Sequence, residues 1–308
     1  MSENGDLDLP LPGSGRTWDR FTSLAAIARD DTVVGRLVEA HTDAVAILAE
    51  LHGPAPKPGQ VWGVWAAEPP EPVLRAVPDG DRHLLDGRKP WCSGASICDH
   101  TLVTARVGDD RALFAVDLTG ASAHPVPDTW HAVGMAESDS GAVDFDSTPA
   151  IAVAAPGEYL TRPGFWHGAV GVAACWYGAA CGVADPLLRR VRSGRADPHT
   201  AAHLGAVTAA LLAARESLRH AAIEIDTDPL DRRGRSRILA RSVRAVVEDA
   251  ATQVLDRVGR ALGAAPLCAD AAHAHRVADL TVYLRQSHAE RDLADLGRDV
   301  AEAAGDPW

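Results

Sequence analysis

Cysteine is scarce and shows no pairing pattern. Five occur in 308 residues, at Cys92, Cys98, Cys175, Cys181 and Cys268, and no two form a C-x-x-C pair. An odd, dispersed set argues against a disulfide framework and a zinc ribbon and fits a reducing, cytoplasmic setting. Basic charge is also in deficit: 30 Lys and Arg face 42 Asp and Glu, a formal charge of -12. That field repels nucleic acid and anionic membrane, so neither is expected as a partner.

Several motifs are missing as well. The N-terminal "MSENGDLDLPLPGSGR" has no basic n-region and no apolar h-region, so residues 1–16 read as a disordered leader and not as a signal peptide. Its Gly13-Ser14-Gly15 precedes no strand-to-helix unit, which removes a dinucleotide-binding fold. No G-x-S-x-G elbow occurs, against a serine hydrolase. His199 and His203 stand four apart without the glutamate of H-E-x-x-H or a third ligand, so no metal is expected. From Gly164 to Ala184 there is no Asp, Glu, Lys or Arg, long enough to raise a membrane span. The run is mostly Ala and Gly, however, and its Gly178-x-x-x-Gly182 spacing suits close helix contacts, so it reads as a helix buried in a protein core without membrane insertion.

What is present falls into zones. In residues 17–58, Val33, Val34, Leu37, Ala40, Ala44, Ile47 and Leu48 recur at steps of three and four, and "HGPAPKPGQ" ends the pattern. One or two helices and a proline-rich linker are predicted. Residues 59–158 carry short segments rich in Val, Leu, Trp and Thr, such as "VWGVWAA", "TLVTARV" and "ALFAVDL", punctuated by Pro, Gly and Asp. They predict a small antiparallel β-barrel or sandwich. Residues 159–308 return to helical periodicity, with Leu204, Val207, Leu211, Ala214 and Leu218 on one face and Leu239, Val243, Val246, Ala250 and Val254 on another. With the buried helix and a fourth from about 271 to 301, they predict an antiparallel four-helix bundle, and the fold class is α+β with several domains.

One segment of the β zone poses a chemical question. "GRKPWCSGA", residues 87–95, places Trp91, Cys92 and Ser93 against Gly94 at a strand end. Glycine lets a backbone or a flat ligand come close, tryptophan offers a large flat face, and the serine hydroxyl donates or accepts. Together they suit a planar heteroaromatic ring, stacked on one side and hydrogen-bonded at its edge. The plainer alternative is a buried tryptophan beside a tight turn. Cys92 lies near Lys89 and reads either as a reactive thiol or as a small buried one. Eight Trp against three Tyr, with Trp62, Trp65 and Trp91 in the β zone, fit core packing or such a ring pocket.

Taken together, "WGVWAAEPP" before residue 71, "LDGRKPWCSGA" at 85–95, "VGMAESDSGAVDFDSTPA" at 133–150 and "RVGRALGAAPL" at 257–267 fall in the order and approximate spacing of acyl-CoA dehydrogenases. The chain resembles that flavoprotein family from about residue 30 to 300. It is also similar to the related flavin-dependent monooxygenases, whose flavin-facing strand often ends in an "SG" like Ser93-Gly94. The resemblance implies FAD. Trp91 would pack on the isoalloxazine, Ser93 would hydrogen-bond near N5 and O4 beside Gly94, and the strand leading to Glu68 would wall the flavin, with Ser138 or Ser140 nearby. A neutral donor at the ring edge stabilises reduced flavin without burying a full charge.

The same resemblance places the FAD diphosphate at the arginines 189, 190, 192 and 195, Arg192 among them, ahead of the helix start at Asp197-Pro198. It places the adenine end at a subunit seam near Gly259 and Gly263, and so implies a homodimer or a dimer of dimers. A dehydrogenase needs a carboxylate to take the α-proton of an acyl thioester, and the family's "Y-E-G-T"-like loop is absent. "YLRQSHAERDLADLG" occupies that region and offers His288, Glu290 and Asp295. The N-terminal helical part is barely half the family's length, which implies an altered acyl pocket. A monooxygenase on the same fold, or a non-catalytic subunit docked on a heteromeric partner, are the alternatives.

Overall fold

The computed structural model describes residues 8–303. Two compact units emerge: one holds residues 37–132 and 136–165 together with the described residues before Pro10, the other residues 10–36, 133–135 and those from 166 onward. These limits cut across the expected domain limits, because α2 (Thr32–Glu50) and α4 (Pro163–Arg192) each contribute residues to both units.

The first unit is built on seven strands: β1 (Trp62–Trp65), β2 (Arg75–Asp79), β3 (Arg82–Lys89), β4 (His100–Val107), β5 (Asp110–Asp117), β6 (Ala123–Val126) and β7 (Ala142–Ala154). β4 pairs with β2, β2 with β3, β3 with β7, β7 with β5, and β5 again with β4. Five strands therefore close on themselves as a barrel, which leaves no free sheet edge among them. β1 extends the sheet along β4, and β6 along β7. Contrary to the expected all-antiparallel arrangement, β1 and β2 both lie parallel to β4. The reason is the loop after β3, which carries the chain back to start β4 beside β1 at Trp62↔His100.

Alternation sorts the barrel's side chains. On β5, Ala112, Phe114 and Val116 point into the barrel with Trp65, Leu85, Val103 and Phe145, whereas Leu113 and Ala115 face outward. The outward face packs against Ala44, Ile47 and Leu48 of α2 and against Tyr159 of the short α3 (Glu158–Thr161). Both faces of β4 and β5 are thus covered, which explains their nearly continuous burial and the unbroken apolar run "ALFAV".

In the second unit, α1 (Thr17–Asp30) is followed by the start of α2, then α4, α5 (Pro198–Thr227), α6 (Ser236–Leu262), α7 (Ala265–Ala269), α8 (Ala271–Tyr283) and α9 (Glu290–Glu302). α4 is long and apolar enough to cross a membrane by length and composition, yet 72% of its most apolar window is buried inside the protein. It is a core helix. A Cβ on Gly178 would stand 2.0 Å from the Ala25 carbonyl oxygen, so the α1 backbone lies directly against α4 there. Trp176 is fully buried, with Tyr283 edge-on at 6.2 Å and the Arg244 guanidinium 4.5 Å above its ring.

Two expectations fail in this unit. The fourth long helix is broken: a 3-10 turn at Leu284–Gln286 and a positive φ of 48° at Ala289 separate α8 from α9. The expected leader is in part fastened down, since the Asp226 carboxylate of α5 accepts from the Gly15 N–H at 3.0 Å and from the Thr17 N–H and hydroxyl at 3.1 and 2.6 Å. Those contacts satisfy donors at the start of α1 that have no partner within the helix. The first seven residues of that expected leader lie outside the described residues.

Candidate functional site

The tertiary structure draws two sequence segments together at one end of β3. After Lys89 the chain turns through Pro90 and Trp91, which has φ of 57°, and through Gly94 with φ of 73°. A side chain on Gly94 would meet the Cys98 sulfur at 3.0 Å as well as strain the backbone, so glycine is required. Residues 92–96 then lie along residues 138–141. Cys92 N–H donates to the Gly141 carbonyl at 2.8 Å, Gly94 N–H to that of Ser138 at 2.8 Å, and Ala95 N–H to that of Asp139 at 3.2 Å. The Asp139 carboxylate accepts from the Ser96 N–H at 2.7 Å, and Trp65 Nε1 donates to the Ser93 carbonyl at 3.0 Å.

Three hydroxyls are brought into line by this pairing. Ser93 Oγ lies 2.8 Å from Ser140 Oγ, which lies 2.8 Å from Ser138 Oγ, and all three serines are buried. A chain of hydroxyls can reverse its direction, because every member both donates and accepts. The Ser93 end therefore offers either a proton or a lone pair without any change of charge. Trp91 is 56% exposed in the turn that follows the strand, not within it. More than half of the Trp91 surface is open to solvent.

His41 joins this site, and sequence reasoning missed it. It is buried on α2, and its Nδ1 accepts the Trp62 N–H at 3.1 Å. That bond fixes the neutral tautomer with its proton on Nε2, and burial lowers the imidazole's pKa, which favours the same neutral state. His41 and Ser93 line one narrow hollow of about 10 Å³ with Leu37, Trp62, Ile97 and Cys98. His41 also lines an adjoining cavity of about 390 Å³ with Thr42, Val45, Lys57 and Gln60. The available signal was positional: His41 is four residues after Leu37 and three before Ala44, a polar residue on an apolar helical face.

Other predicted site residues are committed elsewhere. Glu68 accepts from the Lys89 ammonium at 2.7 Å and from the Thr104 hydroxyl, and lies 3.4 Å from Arg111 Nε. Lys89 is 3% exposed and donates further to the Thr104 carbonyl and hydroxyl, both at 2.8 Å. Burial lowers its pKa, and the Glu68 carboxylate opposes that shift. The pair is a clamp in the barrel, which occupies the Glu68 oxygens that the resemblance turned toward the cofactor. Cys92 is fully buried, and burial raises its thiol pKa far above the usual range, so it is not a reactive thiolate.

In the second unit, Asp295 pairs with Arg241 at 3.0 Å and also contacts Arg298, so both of its oxygens are engaged by arginines. His288 is exposed with Nδ1 3.4 Å from Asp292, and Glu290 is an exposed first residue of α9. These positions form no enclosed acid–base site. Arg192 is exposed at the end of α4. The helix start beside it already holds an anion: the Asp197 carboxylate accepts the Thr200 N–H at 2.6 Å, and this bond lowers the Asp197 pKa. Gly263 caps α6 with φ of 68° and ψ of -164°, a conformation essentially confined to glycine, and a Cβ there would meet nothing within 4 Å. Its backbone conformation, not a close approach within the chain, accounts for the glycine. Among the described residues no cluster of three or more His, Cys, Asp or Glu could hold a metal ion.

No family model matches the chain. It is 28% identical over 229 residues to a dibenzothiophene monooxygenase of Rhodococcus erythropolis, a match covering 62% of this chain and 54% of that protein. The chain thus spans about half the length of the curated relatives it matches. Among solved structures, TdsC from Paenibacillus sp. A11-2 in complex with FMN and indole superposes with a TM-score of 0.79 at 19% identity, covering 91% of this chain and 82% of that one. A nitrososynthase from Micromonospora carbonacea var. africana gives 0.80 at 20% identity, covering 98% and 87%. The chain has the fold of these proteins. The similarity lies with monooxygenases, where the sequence motifs had put the acyl-CoA dehydrogenases first, and the cofactor bound to TdsC is FMN, not FAD.

Proposed function

We propose that the protein is a flavin-dependent monooxygenase that takes FMN, with the isoalloxazine edge at Ser93 and the ring face on Trp91, and oxygenates a small molecule. The observation that carries this reading is the buried hydroxyl chain of Ser93, Ser140 and Ser138 at a glycine turn beside an exposed indole. A reversible chain suits a ring nitrogen that accepts a hydrogen bond when oxidised and donates one when reduced. FMN is favoured over FAD because TdsC, which shares the fold, is seen with FMN, and because the helix start to which the resemblance gave the FAD diphosphate carries its own carboxylate, Asp197.

Bound reduced flavin supplies the two electrons that split dioxygen, one oxygen atom passing to the substrate and the other to water. The protein's part is to bind the ring, to exclude water with Leu37, Ile97 and Trp62, and to hold a proton on His41 Nε2 beside the reaction space. No α-proton has to be removed, and this agrees with the arginine-paired Asp295 and the exposed Glu290 and His288. The face of α5 bearing Ala201, Ala202, Gly205, Thr208, Ala209 and Leu212 is exposed and uncharged, which supports a homodimer or a dimer of dimers.

FMN titration followed by fluorescence quenching, then oxygenation of indole and dibenzothiophene under ¹⁸O₂ with an external flavin reductase, tests the reading. Saturable quenching and one labelled oxygen atom per product are expected. Absence of FMN binding, or anaerobic bleaching of bound flavin by an acyl-CoA, overturns it.

A further inference from the structure

Asp139 separates Ser138 from Ser140, and its φ is 45° although it is not glycine. Left-handed backbone is uncommon at a residue that carries a Cβ, and aspartate is among the few that adopt it readily. The consequence is geometric. An extended strand holds residues two apart at about 6.6 Å, further than two short serine side chains close to a hydrogen bond. The chain instead curls at Asp139, and the Ser138 and Ser140 hydroxyls stand 2.8 Å apart.

Asp139 also fastens the two segments of the site to each other. Its carboxylate accepts the Ser96 N–H at 2.7 Å, its carbonyl accepts the Ala95 N–H at 3.2 Å, and its own N–H donates to the Ala136 carbonyl at 3.4 Å. Ser96 lies in a single tight turn, in which the Gly94 carbonyl accepts from the N–H groups of Ile97 and Cys98 at 3.0 and 2.9 Å. Ile97 and Cys98 line the narrow hollow with Ser93 and His41. One residue thus sets both the hydroxyl edge of the site and the wall beside it. We propose that Asp139 is a positioning residue, whose left-handed backbone assembles the chain of hydroxyls and whose carboxylate fixes the 94–98 turn before any ring is bound. Its effect on FMN rests on the flavin reading above.

Amide hydrogen exchange of the ¹⁵N-labelled, flavin-free protein reads the turn, while FMN titration by fluorescence quenching and the midpoint potential of the bound flavin read the site. Asp139→Asn keeps an acceptor and tolerates the left-handed backbone, so Ser96 exchange and FMN affinity should stay within about twofold of the parent. Asp139→Gly keeps the backbone and loses the acceptor. Ser96 should then exchange about fivefold to tenfold faster and FMN should bind about fivefold more weakly, the worth of one hydrogen bond. The potential should fall, because the Ser93 donor leaves the edge of the reduced ring. Asp139→Ala loses both features and should bind FMN more weakly than Asp139→Gly. Unchanged Ser96 exchange in Asp139→Gly overturns the proposal, and so does a potential that stays fixed while exchange quickens, since the turn then loosens without reaching the flavin. If the parent itself takes up no FMN, the flavin reading fails and Ser96 exchange alone decides the proposal. Should Asp139→Ala not fold, the other two variants carry the test.

Discussion

Replacing Glu68 by leucine removes the carboxylate partner of a lysine that is 3% exposed. Breaking a buried pair from one side costs roughly 3–5 kcal/mol, because the other charge stays buried without its counterion. Two features point to the lower end, about 3 kcal/mol: Glu68 itself is 19% exposed, and Lys89 keeps the Thr104 carbonyl and hydroxyl at 2.8 Å. With a urea dependence of about 2–3 kcal/mol per M, the unfolding midpoint should fall by about 1–1.5 M. The double variant Glu68→Leu with Lys89→Met removes both charges, and its stability should return to within about 1 kcal/mol of the parent. Urea unfolding at neutral pH by tryptophan fluorescence reads all three proteins. A single-variant cost under about 1 kcal/mol, or a double variant worse than the single, would refute the clamp. FMN titration of the folded double variant adds a separate outcome: a loss of affinity beyond about tenfold would restore Glu68 as a cofactor contact.

Ser140→Ala interrupts the hydroxyl chain at its centre and should weaken FMN by roughly 0.5–1.5 kcal/mol, about twofold to tenfold in Kd, measured by quenching; an unchanged Kd would place the ring elsewhere. His41 gives a pH signature with a definite sign. Its folded pKa is lowered below the usual value of about 6.5, so the unfolded chain binds a proton that the native protein resists. Stability from this group is complete above about pH 6.5 and is lost as the pH falls below it, by up to about 1.4 kcal/mol per pH unit until the folded pKa is reached. His41→Gln should flatten that limb in urea titrations between pH 7 and 5, and equal slopes for parent and variant would count against it. Gly178→Ala drives a methyl to 2.0 Å from the Ala25 carbonyl oxygen and should cost about 2 kcal/mol or more, read as a lowered Tm; a neutral effect would mean that α1 and α4 separate readily.

Much of the secondary structure was legible because periodicity is local. The step of three and four in Leu37, Ala40, Ala44, Ile47 and Leu48 appears as α2, and the alternating or apolar runs of residues 61–155 appear as strands. The turn at Gly94 was legible too, since a glycine after small polar residues at a strand end marks a close approach. The break between α8 and α9 was not: nothing in "LRQSHAERD" contains the glycine or proline that usually interrupts a helix. Nor was the parallel placement of β1 and β2 on β4, which depends on where the loop after β3 returns the chain.

The candidate site divides along the same line. Sequence by itself determined which residues have the chemistry: a hydroxyl at 93, an indole at 91, carboxylates at 68 and 295, an imidazole at 41. Only the tertiary structure decided which of them meet. Closure of the barrel lays residues 92–96 along 138–141 and so lines up three serines separated by as many as 47 positions. The same closure pairs Glu68 with Lys89 inside the barrel, and helix packing gives Asp295 to Arg241. A side chain's partners are set by strand register and helix contact across long stretches of chain, and hydrophobic period carries no record of them. Burial then fixes protonation, as it keeps His41 neutral and Cys92 a thiol, because low polarity penalises charge wherever the fold, not the neighbouring sequence, excludes water.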